Sequence, residues 1–65
     1  MNYKVGDLIN NKWGNVDDLG YITHVDEKAG YLGVVFFCDN HIEETLTYQY
    51  VKQYYKVLWN IKKAM

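Results

Sequence analysis

The segment 31–38, Tyr-Leu-Gly-Val-Val-Phe-Phe-Cys, constrains this chain more than any other stretch. It carries no charge and is rich in β-branched and aromatic types, so it reads as a strand buried on at least part of both faces. Asp39-Asn40 follows at once. Both side chains hydrogen-bond locally and tolerate left-handed backbone angles, which makes the pair a two-residue turn. In the return segment 41–48, Ile42, Leu46 and Tyr48 mark the dry face of a half-buried strand. Strand, turn and strand make a β-hairpin, with Val35 and Phe37 expected to aim inward and Phe37→Ala expected to unfold the chain.

At 65 residues the chain has room for one core and one domain, 1–65, with the core over 3–59 and a short tail over 60–65. A domain this small often needs a staple. Cys38 is the single cysteine, so no intramolecular disulfide forms. Aromatic mass compensates: two Phe, two Trp and seven Tyr, each able to bury roughly 150–250 Å².

Around the hairpin, 3–9 reads as a first strand contributing Val5, Leu8 and Ile9 to the core. Asn, Gly and Asp dominate 10–18, a loop that carries Trp13. Residues 19–26 form a second strand, in which Gly20 suggests a bend or bulge. Gly30 closes the 27–30 connection at positive φ. The last stretch, 50–65, is ambiguous. Val51, Tyr54, Tyr55, Leu58 and Met65 fit helical spacing, whereas Tyr55, Val57, Trp59 and Ile61 fit strand alternation. No capping residue or terminal glycine marks a helix. A single 3₁₀ turn over 49–53 and a strand over 55–59 is the favoured reading, a C-terminal helix the alternative. Five short strands separated by polar turns predict an all-β, five-stranded antiparallel barrel, closed to hide its edges.

Charge narrows the function. The net charge is -1, all seven basic residues are Lys, and none is Arg. No planar fork is therefore available for phosphate or guanine. Residues 1–40 carry an excess of three negative charges and 41–65 an excess of two positive ones. The first residues lack the apolar run of a signal peptide and no stretch spans a bilayer. A cytoplasmic, reducing location is expected, consistent with an unpaired thiol.

Val5-Gly6-Asp7-Leu8-Ile9, Gly20-Tyr21-Ile22, Val35-Phe36-Phe37-Cys38-Asp39-Asn40 and the late Tyr55-Lys56-Val57-Leu58 together resemble the SH3-like barrels of the Tudor and KOW type. The chain also resembles small stand-alone barrels carried by bacteriophages. Asn40 stands where the pattern has Gly. The aromatic motif and paired tryptophans of the peptide-binding signalling domains are missing, and the basic character of nucleic-acid-binding members is absent.

Candidate sites follow from chemistry. Cys38, His41 and His24 fall short of four ligands at characteristic spacing, so no metal is assigned. Cys38 with His41 and Asp39 supplies the types for nucleophilic catalysis, but a chain this small offers little pocket to exclude water, and no enzyme activity or cofactor is assigned. The acidic pairs 17–18, 26–27 and 43–44 read as solvated faces. The aromatics exceed what one small core needs. Trp13, Tyr21, Tyr54, Tyr55 and Trp59 are the candidate anchors for a protein partner, either a host protein of a phage-encoded factor or a second copy. The alternative is a weak KOW-type nucleic-acid surface, with Lys52, Lys56, Lys62 and Lys63 interleaved with stacking rings.

Overall fold

A computed structural model describes residues 3–40 and 42–60. Strands β1 (Asp7–Asn11), β2 (Gly20–Asp26), β3 (Tyr31–Phe36), β4 (Glu43–Thr47) and β5 (Tyr55–Asn60) form one antiparallel sheet, and helix α1 (Tyr48–Tyr54) lies between β4 and β5. The order across the sheet is β4-β3-β2-β1-β5. The first four strands thus run as a meander, and the last returns beside the first.

The sheet is not a closed barrel. β4 and β5 are its two edges, and α1 runs from the end of one to the start of the other. The helix places Val51 in a core with Tyr3, Ile9, Ile22, Leu32, Val34, Phe36 and Tyr55. Helix packing, rather than a further ladder of strand hydrogen bonds, covers the open side.

The hairpin of β3 and β4 forms with Tyr31 opposite Thr47 and Val35 opposite Glu43. Its turn is longer than two residues, because pairing stops at Val35 and Glu43. Asp39 N–H donates to the Phe36 carbonyl at 3.1 Å and Ile42 N–H to the Asp39 carbonyl at 3.1 Å, so two tight turns follow one another. Asn40 takes the left-handed conformation its type suggested, φ 50°, and Gly30 sits at φ 76°. Ile42 lies before β4 and is exposed; Leu46 holds the core face as expected, opposite Leu32, and the exposed Glu44 stands opposite Val34.

Register decides which phenylalanine is core. Phe36 stands opposite Gly20, Val34 opposite Ile22 and Leu32 opposite Val25, and directly opposed residues share a face. Phe36 is 8% exposed and Phe37 42%, the reverse of the expectation. Gly20 makes this possible. A Cβ there would lie 2.7 Å from the Val35 carbonyl oxygen and 2.9 Å from Phe36 Cδ1. Val35 is buried, but on the opposite face beside Tyr21.

The first strand begins later than the sequence suggested. Lys4 N–H donates to Asp7 Oδ2 (2.9 Å) and Asp7 N–H to the Lys4 carbonyl (3.0 Å), closing a turn through Gly6 at φ 93°. Val5 is consequently exposed, while Asn10 and Asn11 join the ladder. At the far end the Asn60 side chain donates to Asp7 Oδ1 at 2.7 Å and to the Val5 carbonyl at 3.4 Å. Asp7 and Asn60 are both buried, so the last described residue belongs to the fold rather than to a tail.

A full α-helical segment replaces the 3₁₀ turn expected over 49–53. Its cap is Thr47, whose Oγ1 accepts from Tyr50 N–H at 3.1 Å. A capping threonine satisfies an N–H that the first helical turn leaves open. A 3₁₀ turn does occur elsewhere, at Val16–Asp18, with the Asn15 side chain accepting from Asp17 N–H.

Candidate interaction surfaces around the helix

Lys12 N–H donates to the Tyr54 carbonyl at 2.9 Å, tying the turn after β1 to the end of α1. Gly14, at φ 77°, closes that turn on the Asn11 carbonyl. Trp13 between them is 75% exposed and stacks on Tyr54, with 6.5 Å between centroids and 29° between planes. Tyr54 contacts Tyr50 one helical turn earlier (5.0 Å), as i,i+4 neighbours on a helix do. Tyr50 continues to Tyr55 (6.0 Å) and Tyr55 to Phe36 (5.9 Å). Five rings thus run from open solvent into the core, the first three exposed.

Two clefts flank this ladder and share Tyr55 as a wall. The first, about 260 Å³, carries Asp17, Asp18, Asp39 and Glu44 on its rim, with Cys38, Phe36, Leu46 and Tyr50 completing the lining. Glu44 holds its proton above the ordinary glutamate range, first through its hydrogen bond to Asp39 and then through burial and the Asp39 charge. Burial, reinforced by Asp18, Tyr50 and Glu44, pushes the Tyr55 phenol up to about 12. Cys38 is exposed and its Sγ donates to Asp17 Oδ1 at 3.8 Å. A site of this kind attracts cations, and rings beside it add cation–π attraction.

The second cleft, about 440 Å³, is lined by Tyr3, Lys12, Lys52, Tyr55, Lys56 and Val57. Of the predicted lysines, Lys52 and Lys56 meet here; Lys62 and Lys63 lie outside the described residues, as does His41. Lys12 is an addition that proximity in sequence could not supply.

The remaining predicted anchors lie on the other face of the sheet. Trp59 stands opposite Leu8, Leu8 opposite Tyr21, and Tyr21 opposite Val35. Tyr21 also touches Phe37, at 5.4 Å. Simple alternation places Trp59 on the same face as Tyr55 and Val57. The register with β1 shifts between Leu8 and Ile9, so Leu58 has no opposite residue, and this bulge turns Trp59 to the outer face. A second shift, between Ile22 and His24, leaves Thr23 bulged. Its hydroxyl donates to Glu43 Oε2, across Gly33.

Trp13 and Tyr54 therefore form one surface, extended by Tyr50; Tyr55 is buried as its inner wall; Tyr21 and Trp59 form another. Among the described residues no group of three His, Cys, Asp or Glu side chains could hold a metal ion, and no helix is long and apolar enough to cross a membrane. Compared with family models, curated proteins and solved structures, the chain matches none.

Proposed function

We propose that this protein is a small non-enzymatic interaction module that binds a protein partner through Trp13, Tyr54 and Tyr50. The observation that carries this reading is the exposed stack of Trp13 on Tyr54, which continues through Tyr50 to the wall of an acidic cleft. Trp and Tyr supply large contact area at little entropic cost and dominate interface energetics. The four carboxylates of that cleft, which Tyr50 also lines, favour a partner segment that presents a basic side chain to it.

The fold that best accommodates these facts is an SH3-like one of the Tudor and KOW type, left partly open. Its support is the four-strand meander, the helical turn before the last strand, and the return of β5 to β1. A phage-encoded factor acting on a host protein in the cytoplasm fits that resemblance. A second copy is the alternative partner. The outer row of Trp59, Leu8 and Tyr21 favours it, and sedimentation of a strict monomer at high concentration counts against it.

Capture from an extract of the source cell tests the main reading. A stoichiometric partner held by the wild type should be lost with Trp13→Ala or Tyr54→Ala and retained with Trp59→Ala. Retention by all three variants removes the ladder from the interface.

A further inference from the structure

Lys12, Lys52 and Lys56 reach the larger cleft from three different elements: the turn after β1, the last turn of α1, and β5. Their backbone positions are fixed. Lys12 N–H is bonded to the Tyr54 carbonyl, and Lys56 pairs with Asn10 in the β1–β5 ladder. All three side chains are exposed, and none has an ion-pair or hydrogen-bond partner for its ammonium group among the described residues. Carboxylates line the other cleft, across Tyr55, and none lines this one. Three like charges around one concave surface raise its positive potential and the local concentration of anions.

We propose that this cleft binds a small phosphorylated molecule, with the phosphate held among Lys12, Lys52 and Lys56 and the body of the ligand against Val57 and the edges of Tyr3 and Tyr55. Lysine binds phosphate as a point charge and needs no planar fork. A cleft of about 440 Å³ is in the size class of small organic ligands and exceeds what a bare ion needs. Val57 and the lysine stems supply apolar surface for a ligand body. A single-stranded polymer calls instead for a basic groove that tracks the backbone over several nucleotides, and the other two described lysines, Lys4 and Lys28, do not line this cleft. The proposal stands independently of the protein-partner reading.

The test is an NMR titration of the wild type, Lys12→Glu and Lys52→Glu with adenosine monophosphate, inorganic phosphate and a short single-stranded oligonucleotide. Adenosine monophosphate is expected to shift the Tyr3 and Val57 amides saturably, with Kd on the order of 1 mM. Inorganic phosphate is expected to act on the same residues more weakly. Each charge reversal is expected to weaken binding about tenfold, with melting unchanged because the side chains are on the surface. Absence of saturable shifts, an equal response in the variants, or binding of the oligonucleotide without the mononucleotide overturns the proposal.

Discussion

The indole of Trp13 stacks on the phenol ring of Tyr54 across the junction between the first strand's exit turn and the end of the helix. The Lys12 to Tyr54 backbone hydrogen bond holds the two elements together. A fixed pair loses less side-chain freedom on binding than two independent exposed rings do. Deleting either ring should therefore weaken partner binding more than it weakens the fold. Trp13→Ala is expected to change stability by less than about 1 kcal/mol in urea denaturation, as for most exposed positions. A loss of several kcal/mol assigns the stack to structure instead.

Phe36 and Phe37 should separate cleanly. Phe36→Ala removes a buried ring and is expected to cost about 3–5 kcal/mol, enough to unfold much of a domain this small. Phe37→Ala is expected to cost about 1 kcal/mol, through its contact with Tyr21. Urea midpoints of the two variants decide it; equal losses contradict the register at Gly20.

Gly20 and Gly33 offer a second contrast. A Cβ at Gly20 meets the Val35 carbonyl oxygen at 2.7 Å, and backbone cannot swing aside. At Gly33 it meets the Glu43 side chain at 2.9 Å and His24 Cβ at 3.0 Å. Glu43 can move away by giving up its bond to Thr23, and the β2 backbone at His24 has to yield only slightly. Gly20→Ala is expected to cost about 1–3 kcal/mol or more and Gly33→Ala about 1 kcal/mol. Thermal melts that reverse this order refute the two assignments.

The phenol of Tyr55 is pushed from 10.0 up to about 12 in the folded protein. The unfolded chain then loses this proton first as pH rises, so it binds fewer protons than the native state and stability falls with increasing pH. The contribution is complete below pH 10 and is lost between pH 10 and about 12. Tyr55→Phe is expected to flatten the pH dependence of stability in that window, read by urea denaturation at stepped pH. An unchanged slope removes Tyr55 as its source. Glu44, also raised, gives the same sign above the ordinary glutamate range.

Much of the scaffold was legible because local preferences and tertiary packing agree. The hairpin of β3 and β4, the second strand, the final strand, and the positive φ of Gly30 and Asn40 follow from residue type. What escaped depends on partners distant in sequence. The pairing of Phe36 with Gly20 fixes the face of β3, and a one-residue slip exchanges every side chain between faces. The bulge at Leu58 moves Trp59 away from Tyr55 for a similar reason. Thr47 precedes the segment 50–65 whose spacing suggests a helix, so its capping role is not visible in that pattern. The aromatic candidates were found by type, but their division into two surfaces required the register, as did the meeting of Lys12 with Lys52 and Lys56.

A paired titration tests the central claim most directly: the captured partner against wild-type protein and against Trp13→Ala, by calorimetry at physiological salt. A central aromatic anchor is worth at least about 2 kcal/mol, so Kd should rise by roughly 30-fold or more. A Kd unchanged within about twofold contradicts the assignment of the Trp13–Tyr54 stack as the binding surface.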